Sequence, residues 1–423
     1  MKVEQRDVDV VIAGAGPAGA GLALRLAGQG YSVALVDKAR FPREKPCGEF
    51  LSPPCVPMLA ELGIDVFALG AASGHEVRGM RLAVGDHSAV GRYASIGRAH
   101  APQIGGIGVR REVLDAELVA LARRHPDILV LEEHGVRDLI RDADGRVRGL
   151  LLDEPDGSQR HLRAAVTVGA DGLRSRVARS LGVQRPIPWL QRFALVTRFR
   201  GVEAQDFGEL HFFDRGYFAA VDVDSGLFSL NLIVDAAALP KGRDEVERFF
   251  ESRLDLVPRL RERLRCAERA APLRAYGPLG VRTVRQVMPG VALVGDACGY
   301  VDPMTGEGIY LALRGAELLA GAIHERFVSG DEARAWRTYD RARKREIAPK
   351  LAMSRLLQRA IRRPRLVERF GRLVSKRPGV LDLLVSLTGD YVPIRDVLRP
   401  RSLLQAWSSS LGHAQITAWK ASR

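Results

Sequence analysis

The chain has 423 residues, 46% apolar and 27% charged, with a net charge of +14, the composition of a globular protein large enough for two or three domains. It contains no apolar run of about 18 residues or more, so no membrane-spanning helix is expected. Four cysteines (Cys47, Cys55, Cys266, Cys298) with no C-x-x-C pair and no His/Cys cluster of zinc spacing argue against a disulfide framework and against a zinc site. The N-terminus runs from charges straight into a strand-like stretch, without the apolar core and cleavage site of a signal peptide; a cytoplasmic location is the expectation.

The elements begin with VDVVIAGAG, a buried strand entering a glycine turn, then a small-residue helix over Pro17–Gln29 and a second strand at Ser32–Asp37. Near-continuous apolar strands of this kind suit a parallel sheet covered on both faces. KPCGEFLSP (Lys45–Pro53) follows, a loop by its Pro, Gly and Ser content. It leaves Cys47 open as a redox centre, a metal ligand or a small residue in a tight turn. Glu112–Arg124 has Leu114, Leu118 and Leu121 at helical spacing, and short strands follow at ILVLEE and GVRDLIRD. From Arg192 to Asp235, four runs (FALVTRF, ELHFFD, YFAAVDVD, LFSLNLIV) are separated by Gly, Asp and Ser, which predicts hairpin-linked antiparallel strands interrupting the α/β pattern. The α/β signal returns at Val291–Ala297, and the chain is helical from about Glu332.

Three segments carry chemistry. Gly14, Gly16, Ala18 and Gly19 belong to a G-x-G-x-x-G placed between strand and helix, and Asp37 ends the second strand 18 residues later. The glycines permit a tight turn and close approach of a pyrophosphate to the helix N-terminus, while Asp37 suits ribose hydroxyls. The second segment, Thr167–Val177, is a strand, then Asp171-Gly172, then a helix start. The third, Val294–Ile309, is a strand, Gly295-Asp296, a Pro/Gly-rich loop and a long helix. In this order the three resemble the p-hydroxybenzoate hydroxylase and geranylgeranyl reductase superfamily of FAD enzymes, over about the first 330 residues.

The resemblance implies a discontinuous Rossmann-like FAD-binding domain (1–74, 100–185 and 275–330), an inserted antiparallel β-sheet substrate domain (75–99 and 186–274), and a C-terminal helical region (331–423). It implies that Asp296 binds the ribityl chain and that Pro303, Gly306 and Gly308 lie along the isoalloxazine ring. There the start of the long helix would face the anionic N1/C2 region of reduced flavin. Arg111, in RREVLDAEL, matches an R-x-x-L-D-x-x-L segment of the family and is expected at the cofactor, with Arg110 its rival. Asp171 is expected near the cofactor, or as a helix N-cap. By the same likeness KPCGEFLSP should lie beside the flavin, with Cys47 touching flavin or substrate.

NADH or NADPH is the implied electron donor, and three reactions compete. The favoured one is a monooxygenase that hydroxylates an aromatic, polyketide-like or lipid-tailed substrate through a flavin C4a-hydroperoxide. The second is a reductase that saturates isoprenoid C=C bonds; the Pro42–Pro53 loop is more like the geranylgeranyl reductase and polyketide-tailoring branches. Halogenation is a distant third, since only IPW (Ile187–Trp189) stands where a W-x-W-x-I-P stretch is wanted. The non-enzyme alternative is a FAD-bound sensor. No side chain stands out as a catalytic base: Cys47 is a candidate site residue, and His211, Tyr217 and Tyr276 have no better support.

Between Arg341 and Arg377 there are 14 Lys/Arg against two acids, so this stretch holds +12 of the chain's +14. Arg365, Arg369, Arg372 and Lys376 share one helical face opposite Leu366, Val367, Phe370, Leu373 and Val374. Likewise Arg355, Arg359 and Arg362 oppose Leu356, Leu357, Ala360 and Ile361. Two readings follow: a helical cap on the body of the protein, or peripheral attachment to an anionic membrane. Nucleic-acid binding is not expected, because the segment has few aromatics and no reader motif.

Overall fold

The computed structural model describes residues 7–69, 73–93 and 105–389; the expected helical residues 390–423 and part of the 75–99 segment lie outside them. Val8–Ala13 forms the centre of a parallel sheet, with Val33–Val36 and Ile128–Leu131 on one side and Gln159–Gly169 and Val291–Leu293 on the other. Val10 to Ala13 are all fully buried, because both faces of this strand are covered. Pro17–Ala27, Arg111–Arg124 and the long helix Gly308–Ser329 contribute to the core on one face. Gly135–Arg141 and Val147–Asp153 extend Gln159–Gly169 as an antiparallel meander, which contributes to the core on the opposite face.

A second sheet runs in the order Glu268–Arg269, Arg192–Arg200, Leu227–Asp235, Gly216–Val223, Gly208–Phe213, Gly79–Val84, His87–Arg92. Its period-two pattern sorts the side chains. Ala194, Val196, Phe212 and Ile233 face one core, while Leu195, Phe218, Leu230 and Leu232 face another. Two details depart from the sequence reading. Gly208–Phe213 pairs parallel, not antiparallel, with Gly79–Val84. Two helices, Arg243–Leu254 and Pro258–Arg263, cover the outer face.

The two sheets are joined by a small one in which Gly106–Gly108 pairs with Phe50–Leu51 and with His75–Val77. The approach is close: a Cβ on Gly108 would lie 1.9 Å from the carbonyl oxygen of Asp222 in the second sheet.

The C-terminal helices span Glu332–Glu346, Ala348–Ile361, Pro364–Lys376 and Pro378–Thr388. Pro378–Thr388 lies against His87–Arg92, where the Arg92 amide donates to Asp382 at 2.7 Å. Pro364–Lys376 is oriented as its pattern predicts apart from Leu366, which is exposed, with Val374 buried and its arginines exposed. Ala348–Ile361 follows its pattern only in part, since Leu357 and Ile361 pack inward as expected. Leu356, expected to face inward, is 64% exposed, while Lys350, Ser354 and Gln358 are buried. A buried ion pair sets this rotation: Lys350 Nζ lies 2.5 Å from Glu307 Oε1. A charge lacking that partner inside the protein costs more than an exposed leucine. None of the described helices is long and apolar enough to cross a membrane.

Gly108→Ala should therefore destabilise the fold by about 2–4 kcal/mol, because the clash is with backbone that cannot rotate away. Gly321→Ala, on an open helix surface, should instead raise stability by about 0.5–1 kcal/mol. Urea unfolding of both variants checks the pair.

Candidate functional site

The carboxyl ends of the parallel strands meet the inner face of the second sheet around a cavity of about 470 Å³, the usual place for a ligand in an open α/β sheet. The glycine turn after Val8–Ala13 does two different jobs. Gly14 has φ +101°, and a Cβ there would lie 2.5 Å from the Ala170 carbonyl oxygen; one on Gly19 would lie 1.8 Å from the Gly14 oxygen. These two let strand, turn and helix pack tightly. Gly16 instead borders the cavity, and the nearest atoms to a Cβ there are the guanidinium nitrogens of Arg111 (3.6 Å) and Arg43 (3.8 Å).

Both arginines are held by one fully buried carboxylate. Arg111 donates Nε and Nη2 to the two oxygens of Asp115 at 2.9 and 2.7 Å, and Arg43 Nη1 lies 3.2 Å from Asp115 Oδ2. Burial alone works against the charge of Arg111, but Asp115 and the nearby Cys47 thiol outweigh it and hold its proton more firmly than usual. Arg110, the rival, turns away: its Nε donates to Asp224 at 2.7 Å.

The loop Lys45–Phe50 forms the next part of the wall. Cys47 is a free, half-buried thiol facing the cavity. Cys55 is buried, with its Sγ 3.7 Å from Ser52 Oγ. Lys45 also faces the cavity; burial and Arg111 push its proton affinity down while Asp296 pulls it up. Asp296 lines the cavity beside Gly295, and its carboxylate accepts no protein hydrogen bond among the described residues. Burial pushes its pKa up against the pull of Lys45 and Arg111. Pro303, Gly306 and Gly308 continue the wall, as does Ala18 near the glycine turn. The first turn of Gly308–Ser329 contains no acid, and Glu307 just before it is neutralised by Lys350. The helix dipole therefore faces the cavity.

Other expected residues serve the frame. Asp37 braces the glycine turn by accepting from the Ala15 and Ala39 amides, both at 2.9 Å. Asp171 adopts the capping role, accepting from Ser175 Oγ at 2.5 Å and from the Arg176 and Val177 amides at 2.6 and 3.2 Å. His211 points to the outer face of its sheet, with Nε2 2.7 Å from Glu209. Tyr217 is buried and donates to Asp302. Tyr276 and Tyr300 do line the cavity. Lys45, Arg43, Asp115 and Tyr300 were not singled out by sequence reasoning. Asp115 sits inside the R-x-x-L-D-x-x-L segment and could have been read as the partner of Arg111; for an isolated lysine or tyrosine no pattern exists to read.

Residues 7–353 match the family described as FAD binding domain, and the chain belongs to that family. It is 27% identical over 407 residues to menaquinone reductase of Mycolicibacterium smegmatis, covering 92% of this chain and 93% of the relative. It is likewise 27% identical to digeranylgeranylglycerophospholipid reductase 1 of Methanothermobacter thermautotrophicus, covering 83% and 86%. The structure of the myxobacterial chondrochloren halogenase CndH shares the fold, with TM-score 0.75 at 23% identity over 93% of this chain and 99% of that one. The protein is thus a FAD-dependent oxidoreductase of the p-hydroxybenzoate hydroxylase and geranylgeranyl reductase superfamily.

The site suits FAD on its own terms. The Gly16 turn with Arg111 and Arg43 fits a pyrophosphate, the partnerless Asp296 carboxylate fits ribityl hydroxyls, and a Cβ on Gly308 would meet only open space. Asp296→Ala should weaken FAD binding about tenfold or more by removing a charged acceptor, with the melting temperature of the apoprotein unchanged; fluorescence titration with FAD measures it.

Beneath the Pro303–Gly308 loop, burial pushes the Asp302 carboxyl up to about 6, against the opposing pull of Arg192 and Tyr217. The folded state thus holds this proton more strongly than the unfolded chain. Stability present below the unfolded value of 3.8 is lost as pH rises through about 6. Asp302→Asn removes that loss, so its stability relative to wild type should rise by about 1–3 kcal/mol from pH 4 to 7 in urea titrations.

Proposed function

We propose that this FAD-dependent oxidoreductase saturates carbon–carbon double bonds in the isoprenoid or comparable apolar chain of a lipid, with NADH or NADPH as electron donor. The observation that carries the reading is the far wall of the cavity. One side is sheet, with Met80, Leu82, Val196, Leu210 and Ile233. The other is helix, with Leu357, Ile361, Val367, Phe370 and Leu384. A phenol or other compact polar substrate calls for converging polar groups, whereas this surface offers burial to a flexible hydrocarbon chain. Two relatives that match most of the chain are named as reductases, of menaquinone and of digeranylgeranylglycerophospholipid.

Bound and reduced, FAD supplies a hydride for one carbon of the double bond. The chain's own residues hold the substrate, exclude water, and deliver a proton to the other carbon. The walls on both sides confine an extended chain so that it runs toward the Pro303–Gly308 loop. Tyr276 and Tyr300 border the cavity at its polar end, near Cys47 and Asp296. Burial, reinforced by Asp296, pushes both hydroxyls well above their ordinary range, so they remain O–H donors at neutral pH. Cys47, held at the Arg111 guanidinium, adds a polarisable group beside them.

Anaerobic incubation with NADH or NADPH and a polyprenyl lipid should give products heavier by two hydrogens per bond reduced, seen by mass spectrometry. Incorporation of an oxygen atom from O2, with no anaerobic product, would replace this reading with hydroxylation. In the same assay Cys47→Ala should keep its flavin spectrum and change the turnover rate; loss of the flavin would mark Cys47 as part of a structural turn.

A further inference from the structure

The basic segment takes no part in the cavity's polar end, yet its helices build the apolar wall. Arg359, Arg363, Arg365, Arg369, Arg372 and Lys376 are all exposed. Of these six, only Arg372 makes a salt bridge among the described residues, to Glu368 at 3.0 Å. Arg355, on the same side of the chain's charge balance, has Arg282 and Arg359 as its charged neighbours. Like charges gathered without counter-ions repel one another, and an anionic partner removes the repulsion.

Two large apolar side chains stand among these cations. Leu356 is 64% exposed and lies one turn before Ala360, which lines the cavity; Leu366 is 44% exposed and lines the cavity itself. A residue that is open to solvent and also part of the wall marks a mouth. Leu366 thus marks an aliphatic edge of the entrance, at the border of the helix side that carries Arg365, Arg369 and Arg372.

We infer that the face made by Ala348–Ile361 and Pro364–Lys376 docks on an anionic phospholipid bilayer, with Leu356 and Leu366 entering its surface and the mouth beside Leu366 turned toward the lipid. The biological reason to dock rests on the lipid-substrate reading; the charge and exposure that argue for it do not. Cations near an anionic leaflet each add attraction, and exposed leucines beside them recover in the acyl region what they lose in water. A nucleic acid would satisfy the arginines but leave the leucines without a role.

The full-length, FAD-loaded protein should float with phosphatidylcholine vesicles containing phosphatidylglycerol and bind them at least about tenfold more tightly than phosphatidylcholine alone, more weakly as salt rises. The triple variant Arg365→Glu, Arg369→Glu, Arg372→Glu should lose at least about tenfold of that binding. Leu356→Ser should weaken it without changing the salt dependence. Flavin content and melting temperature should stay at wild-type values in both variants. Equal binding to neutral and anionic vesicles, binding untouched by charge reversal, or tight binding to duplex DNA with none to vesicles would overturn the inference. Because binding is scored without turnover, vesicle binding by a protein that reduces no polyprenyl lipid would overturn the substrate reading and leave the docking face standing.

Discussion

One buried ion pair decides where everything else in the cavity can be. Glu49 is 1% exposed, has φ +55°, and gives both carboxylate oxygens to Arg198 of the second sheet, at 3.0 and 2.5 Å. A left-handed conformation costs a non-glycine residue about 1–2 kcal/mol, and a buried carboxylate costs several more unless it is matched. Arg198 supplies the match, and Glu112 adds a second acid 3.6 Å away. The Glu49 carbonyl meanwhile accepts from the Val109 amide at 2.9 Å. The loop from Lys45 to Phe50 is therefore tied to the second sheet and to the segment after Gly106–Gly108, with Lys45 and Cys47 on the cavity wall.

The charge at the glycine turn follows the same economy of partners. Arg43, Arg111 and Lys45 stand against Asp115, Asp296 and Asp37, the last 3.9 Å from Arg43, so the cations beside the glycine turn are balanced by acids. Asp115 fixes the two guanidiniums in place, so the site is arranged before a ligand arrives and little side-chain freedom is lost on binding. Lys45, disfavoured as a cation by burial, would hold its proton more firmly beside an anionic pyrophosphate.

Much of this was legible in the sequence because it is local. The strands Val8–Ala13 and Val33–Val36, the glycine turn and the Gly295–Gly308 segment announce themselves by apolar runs and glycine spacing. What escaped was set by distant partners. The parallel pairing of Gly208–Phe213 with Gly79–Val84 joins stretches more than a hundred residues apart, and no periodicity records it. The outward turn of Leu356 was unreadable for the same reason, since helical spacing cannot reveal that Glu307 waits for Lys350. Asp171 illustrates a third limit: an acid ahead of a helix reads equally as cap or ligand, and only the folded chain shows the capping bonds it makes.

The ring of Phe50 lies between two backbones: a Cβ on Gly106 would approach it to 2.4 Å and one on Gly306 to 2.7 Å. The redox end of the cavity is thus a lock of interdependent parts drawn from three distant stretches of chain, where one change demands two others. The helical side of the far wall is a single run from Leu357 to Thr388. The length and girth of the molecule admitted can therefore be altered within that one stretch, while the three parts that meet at Phe50 stay as they are.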